Sequence, residues 1–275
     1  MKIMIVGGTG FLGYYTAQAA LKKGYEVGSL SLDDISLKGW YPSQIAINYG
    51  DVFVMTEDEL VKIFTGYDAL VYSVGPDDRE TPPAPSYDYF HERLVEKVGK
   101  VFSAARKAGI KRSIVYNSYF ATFDRLYPEK KLAVYHPYIR CRVEQAKKVI
   151  DEGKGKMDVM VLELPYIFGA MPEREPLWKN TFIDRFFKAP VVCFPKGGTT
   201  MINVKGIGEA GVGALEKGKH GERYPIGDEN LKFRKMLEWM EEGLRVKKPI
   251  WQFPGWLCAM GANQITKKEA KEGKQ

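Results

Sequence analysis

Three glycines, Gly7, Gly10 and Gly13, stand at intervals of three residues in the segment Gly7-Gly8-Thr9-Gly10-Phe11-Leu12-Gly13, directly after the apolar run Ile3-Met4-Ile5-Val6. Each acts through the side chain it lacks. Gly7 permits a tight turn out of a strand, Gly10 lets the backbone approach a pyrophosphate, and Gly13 lets the following helix pack on that strand. The helix N-terminus adds unpaired N–H groups and the positive end of a dipole, so a dinucleotide is the expected ligand. A glycine triplet needs a strand before it and a helix after it. Both are present, since the apolar run opens the chain and an amphipathic stretch over residues 14–23 follows.

The elements that position this loop alternate strand and helix. Residues 25–31 and 44–48 read as short apolar strands, and Thr56-Glu57-Asp58-Glu59 as a capping box opening a helix through Phe64. Ala69-Leu70-Val71-Tyr72-Ser73-Val74 is an unalternating run of the kind buried on both faces of a parallel sheet. A proline-rich loop over 77–86 leads to a long helix at 87–108, ended by Gly109. Residues 113–118 give a fifth strand, 137–150 a helix and 157–164 a sixth strand. Such alternation predicts an α/β fold, a doubly wound parallel sheet with right-handed crossovers.

Beyond Pro165 the pattern loosens at Pro172 and Pro176. Strands at 191–194 and 201–204, with helices at 180–188, 206–216 and 230–244, predict a small C-terminal lobe facing the substrate. The expected organisation is a dinucleotide-binding domain over 1–165, a substrate lobe interleaved with it over 166–262, and a polar tail at 263–275. Ligands of open α/β sheets lie beyond the carboxyl ends of the strands, so the loops after Val6, Ser31, Val74, Ser118 and Leu164 should line one cleft.

Composition narrows the function. The chain has 275 residues, 45% of them hydrophobic, enough for a sizeable core. It carries no apolar run near the roughly 18 residues of a membrane span and no charged leader, which predicts a cytoplasmic protein. Cys141, Cys193 and Cys258 are scattered and odd in number, arguing against disulfide and zinc frameworks. The net charge of +7 suits an anionic ligand. Basic residues are interspersed with acids, including Glu269 and Glu272 in the final stretch, so nucleic acid is not the expected partner. His91, His136 and His220 make no metal spacing, and His136 alone, two residues before Tyr138, stands where it could touch substrate.

With this layout, residues 7–13 resemble the cofactor motif of the extended short-chain dehydrogenase/reductase family, the NAD-dependent epimerase/dehydratase group. Gly50-Asp51 is similar to the family's Gly-Asp after strand three, and Tyr72-Ser73-Val74-Gly75 to its small-residue turn beside the cofactor. Residues 104–112 resemble its helix-to-strand-five junction, and Leu164-Pro165-Tyr166-Ile167-Phe168-Gly169 its Pro-x-x-Tyr-Gly turn. The resemblance spans nearly the whole chain and implies a Rossmann fold, NAD or NADP as cofactor, and hydride transfer at a carbinol or carbonyl carbon. It implies a cofactor lining of Gly7, Gly10, Phe11, Leu12, Gly13, Ser31, Asp51, Val74, Gly75 and Pro165. A nucleotide sugar is the first substrate class and small ketones or flavonoid-like carbonyls the second, with a homodimer formed through the helices flanking strand five.

The family's chemistry rests on a Tyr-x-x-x-Lys pair and a serine or threonine after strand five. Here Tyr138 stands in place and Arg142 replaces the lysine. Their spacing puts both on one helix face, where a fixed cation stabilises a phenolate and holds the ribose, although a guanidinium does not readily give up a proton. The family's catalytic hydroxyl aligns with Tyr119, and Ser118 lies one residue early, so either supplies the group that orients the substrate oxygen. Leu94 stands where the family has a helix asparagine. Ser31-Leu32 ends strand two without the acid that selects NAD or the arginine that selects NADP. Asp33 and Asp34 repel a phosphate and Lys38 attracts one, leaving both cofactors open.

These departures support a second reading, a dinucleotide-binding protein that has lost catalysis and senses redox state, resembling NmrA-like proteins. Three residue readings stay open. Arg142 could instead pair Glu144 on the helix surface, and Glu163, an acid within an apolar strand, pairs an arginine such as Arg140 or marks the substrate pocket. Trp178, Phe182, Phe186 and Phe187 read as core, with an apolar lid as the alternative.

Overall fold

The computed structural model describes residues 1–258. In chain order its first part comprises β1 (Lys2–Val6), α1 (Phe11–Lys22), β2 (Glu26–Ser31), β3 (Ala46–Tyr49), α2 (Glu57–Phe64), β4 (Ala69–Tyr72) and α3 (Ser86–His91). There follow α4 (Lys97–Lys107), β5 (Arg112–Ser118), α5 (Tyr119–Leu126), α6 (Leu132–Tyr135), α7 (Pro137–Gly153) and β6 (Asp158–Leu164). The remainder is β7 (Tyr166–Phe168), β8 (Val192–Pro195), β9 (Gly198–Asn203), α8 (Val204–Lys217), β10 (Arg223–Pro225), β11 (Glu229–Lys232), α9 (Phe233–Leu244) and β12 (Ile250–Phe253).

The chain divides into two compact units, Met1–Leu164 with Val204–Ile226, and Pro165–Asn203 with the chain from Gly227. In the first, seven strands pair in the order β10-β6-β5-β4-β1-β2-β3, every pair parallel. The central strands are buried along their length because helices cover both faces, which is why their sequences read as unbroken apolar runs. One core cluster joins Met4, Leu70, Tyr72 and Val115 of the sheet to Leu60, Phe64, Phe102 and Val149 of the helices. The predicted capping box forms at α2, where the Thr56 hydroxyl accepts the Glu59 N–H and the Glu59 carboxylate accepts the Thr56 N–H. The long helix expected at 87–108 is interrupted by a π-helical turn, Glu92–Glu96, between α3 and α4.

The second unit does not take everything after β6. Residues 206–216, expected in the lobe, form α8 of the first unit, where Gly208 brings that helix onto α1. A β-carbon at Gly208 would stand 2.3 Å from the Tyr15 carbonyl oxygen, so a larger residue would push the helices apart. The second unit itself contains the sheet β11-β9-β7 and the parallel pair β12-β8. Its core gathers Phe182, Phe187, Val192, Phe194, Met201, Met236 and Leu237, with Trp178 and Phe186 packed partly buried against them. Residues 230–232, expected as the start of a helix, are strand instead, because β11 pairs antiparallel with β9 before α9 begins. Near 180–188 the chain makes a π-helical turn, Lys179–Asp184. The tail expected at 263–275 lies outside the described residues. Among those described, no helix is long and apolar enough to cross a membrane.

Candidate functional site

The loop between β1 and α1 is shaped by what its glycines exclude. Gly7 has φ +85°, and a β-carbon there would fall 2.6 Å from Val74 Cγ2, while one at Gly13 would fall 2.1 Å from the Gly7 carbonyl oxygen. Gly10 differs. Its nearest neighbour would be Gly7 O at 3.2 Å, leaving the outer side open. Gly10 is the N-cap of α1, without a side-chain cap, and the Tyr14 N–H returns to Gly10 O at 2.8 Å. The amides of Phe11, Leu12 and Gly13 therefore belong to the first turn, whose N–H groups have no partner along the helix. An open cradle facing bare amides at the positive end of a helix dipole fits a diphosphate.

Side chains brace this cradle from beneath. The Thr9 N–H donates to Ser31 Oγ at 3.2 Å, Ser31 and Ser29 share a hydrogen bond of 2.8 Å, and the Tyr41 hydroxyl donates to Gly8 O at 3.0 Å. Burial pushes the Tyr41 phenol up to about 12, so it stays a donor across the neutral range. Ser31 thus bonds to the loop itself. Ser73 on the strand-four side donates to Val6 O at 2.8 Å, and Gly75 follows with φ +133°. Asp51, after β3, accepts the Phe53 N–H at 2.8 Å. Pro165 opens the second unit.

The same unit carries Tyr138 in the first turn of α7, 3% exposed, with Phe90 edge-on to its ring. Arg142, 8% exposed, directs Nε to the Tyr138 hydroxyl, Nη1 to Gln145 Oε1 and Nη2 to the Pro76 carbonyl, each at 3.0 Å. Asn117 of β5 completes the group, donating to Arg142 O at 2.9 Å and to Gln145 Oε1 at 3.0 Å. The guanidinium is held on three sides. It does not pair Glu144, which instead accepts from Arg140 Nε at 2.9 Å and from the Tyr87 hydroxyl at 3.0 Å. The fork ties the Tyr138 hydroxyl to Arg142 and fixes the loop after β4 against α7.

Around Tyr138 stand further titratable groups. The ring of His136, the N-cap of α7, lies 6.3 Å from that of Tyr138. Burial holds His136 below its ordinary value, against the opposing charge of Asp78. Burial and the neighbouring Asp77 raise Asp78. At Asp77 burial acts upward, but hydrogen bonds from Arg79 outweigh it and hold the carboxyl low. Leu94 is wholly buried with Phe90 and Tyr138.

Ser118 and Tyr119 have different local roles. Ser118 ends β5 and caps α5, its Oγ accepting the Phe120 N–H at 3.3 Å. Tyr119 begins α5, its ring 4.8 Å from Phe120 and 4.7 Å from Phe123. Glu163 is wholly buried and does not pair Arg140. It accepts from Thr122, from Arg125 Nη2 at 3.1 Å and from Arg223 Nε at 2.7 Å, tying α5, β6 and β10 together. Sequence reasoning missed Asn117, Gln145, Pro76 and Tyr41. Gln145 was within reach, three residues after Arg142 and seven after Tyr138 on one helix face. The others depend on loops and sheet register that no local pattern encodes.

An all-parallel doubly wound sheet, with bare first-turn amides beyond its first strand, defines a dinucleotide-binding protein. The chain belongs to the NAD(P)H-binding family, whose model matches residues 7–161, more than half of it. It is 22% identical over 271 residues to a putative dihydroflavonol 4-reductase of Synechocystis sp., covering 92% of this chain and 75% of that one. A nucleoside-diphosphate-sugar epimerase from Pseudomonas aeruginosa has a similar fold, with TM-score 0.76, 15% identity, and 97% and 84% of the two chains covered. So has a Bordetella bronchiseptica enzyme in complex with NAD+, with TM-score 0.70, 15% identity, and 91% and 85% covered. The cofactor of this domain is NAD or NADP.

Proposed function

We propose that the protein is an NAD(P)-dependent oxidoreductase or epimerase/dehydratase acting at a carbinol or carbonyl carbon, with Tyr138 handling the proton of the substrate oxygen. The observation that carries this reading is the buried 3.0 Å hydrogen bond from Arg142 Nε to the Tyr138 hydroxyl, in the unit that holds the glycine cradle. Gly7, Gly10 and Gly13, with the amides of Phe11 and Leu12, hold the diphosphate. Asp51 meets the adenine, and Val74, Gly75 and Pro165 line the cofactor further along. Ser31 contributes by holding Thr9 in place. When bound, the dinucleotide supplies or accepts the hydride. Arg142 holds the Tyr138 hydroxyl in place through Nε, and its bond to Pro76 fixes the wall beside it. Ser118 or Tyr119 orients the substrate oxygen. Nucleotide sugars lead the list of substrates to test, as the net charge of +7 favours anionic ligands, with small and aromatic ketones second. The reading includes a cytoplasmic homodimer.

A second reading, a catalytically silent redox sensor, is favoured by two observations. The Ser118 hydroxyl caps a helix, and three donors of Arg142 are engaged within the protein. Fluorescence titration with NADH and NADPH, followed by a turnover screen of nucleotide sugars and carbonyls, separates the two. Turnover lost in Tyr138→Phe with cofactor binding kept supports the enzyme; binding without turnover anywhere in the screen supports the sensor.

A further inference from the structure

The second unit, taken by itself, contains a cavity of about 570 Å³. Its walls are mainly apolar, built from Phe168 of β7, Trp178, Met201 of β9, Leu231 of β11, and Met236 and Met240 of α9. Its polar groups are Asn203, Asp228, Glu229 and Lys179. The first three adjoin, since Asp228 Oδ2 accepts the Asn203 N–H at 2.9 Å and Glu229 follows in the chain. Lys179, the one cation among the lining residues, is held by Glu175 and Asp184, each at 3.2 Å.

We infer that this cavity is a binding site for a neutral, mainly apolar ring compound bearing a hydroxyl that donates to the carboxylate of Asp228. Its volume lies within the range of sites that enclose drug-sized ligands, and such sites pair apolar walls with a few convergent polar groups. Methionine side chains adapt to flat or puckered rings, and Trp178 offers an aromatic face. Trp239 and Leu244 also line the cavity, and they are 45% and 39% exposed. Large apolar side chains left open around a concavity mark a ligand-binding groove. A nucleoside diphosphate fits poorly. Its phosphates would face Asp228 and Glu229, and the nearby ammonium already has two carboxylate partners. The inference stands on this unit alone and is independent of the oxidoreductase reading.

Trp178 and Trp239 report on occupancy directly, so the full chain can be titrated by its own fluorescence with 1-(2-naphthyl)ethanol, 2-ethylnaphthalene and UDP-glucose. The expected result is saturable quenching by both naphthyl compounds, tighter for the alcohol, and no quenching by UDP-glucose that depends on the cavity. Gly243→Phe fills the cavity from a helical position where an added β-carbon meets nothing within 4 Å, so the fold is kept. That variant should weaken naphthyl binding by roughly tenfold or more, about 1.4 kcal/mol, while NADH binding is unchanged. Saturable quenching by UDP-glucose that Gly243→Phe removes, no quenching by the naphthyl compounds, equal affinity for alcohol and hydrocarbon, or unchanged naphthyl affinity in Gly243→Phe overturns the inference. Absence of NADH binding in the same preparation bears on the first unit alone, so the two readings fail separately.

Discussion

Gly10→Ala separates ligand binding from folding more cleanly than any other change in the cradle. The backbone at Gly10, φ −84° and ψ 172°, is one that alanine adopts freely, and the new methyl meets only Gly7 O at 3.2 Å. Restricting the unfolded chain stabilises by about 0.4–1 kcal/mol, and a poorer N-cap costs a similar amount, so net stability should change by about 1 kcal/mol or less. Binding should change far more. The methyl occupies the open side where a diphosphate meets the first-turn amides, and hydrogen bonds to a charged group contribute about 1.5–3 kcal/mol each. Loss of two such bonds weakens binding by about 3–6 kcal/mol, roughly 10²- to 10⁴-fold in Kd. Calorimetry with NADH and NADPH, beside a thermal melt, reads both quantities. Gly13→Ala is the contrasting control, because its methyl would stand 2.1 Å from Gly7 O and deform the loop backbone, so its melting temperature falls together with binding. A Gly10→Ala protein that melts like the parent and binds the better cofactor within about threefold of it would refute the cradle argument.

Arg142→Met, similar in volume, should lower turnover by roughly 10²- to 10³-fold, since it removes the charge beside Tyr138; Arg142→Lys restores part of it, and stopped-flow rates check both. Glu163→Gln leaves two arginines facing a neutral amide in the sheet, and chemical denaturation should register a loss of about 2–4 kcal/mol. Burial pushes the Cys141 thiol up to about 12, so at pH 8 its thiolate is on the order of one molecule in ten thousand. Iodoacetamide labelling read by mass spectrometry should therefore modify the exposed Cys193 and Cys258 first and spare Cys141 until the protein unfolds. Light scattering of the purified chain should give twice the monomer mass if the helices beside β5 form the expected dimer.

The parallel sheet was legible because strands such as β1 and β4 are buried on both faces, and that burial leaves an unbroken apolar run in the sequence. The glycine cradle was legible for a related reason, as close approach of backbone to backbone at Gly7 and Gly13 tolerates no side chain. Tyr138 and Arg142 were found by their spacing on α7, and Gln145 on the same face could have been. What escaped is set by long-range pairing. Residues 230–232 carry no local sign of being strand and become one by pairing with β9, while α8 belongs to the first unit because Gly208 meets α1. Glu163 shows the same limit, since its partners Arg125 and Arg223 lie 38 and 60 residues away along the chain.

The account stands most directly on whether a reduced dinucleotide is consumed through Tyr138. Following absorbance at 340 nm, NADH or NADPH should be oxidised in the presence of at least one carbonyl or keto-sugar nucleotide, and Tyr138→Phe should abolish that oxidation while binding the cofactor as tightly as the parent. Equal oxidation rates in the parent and Tyr138→Phe proteins would contradict it.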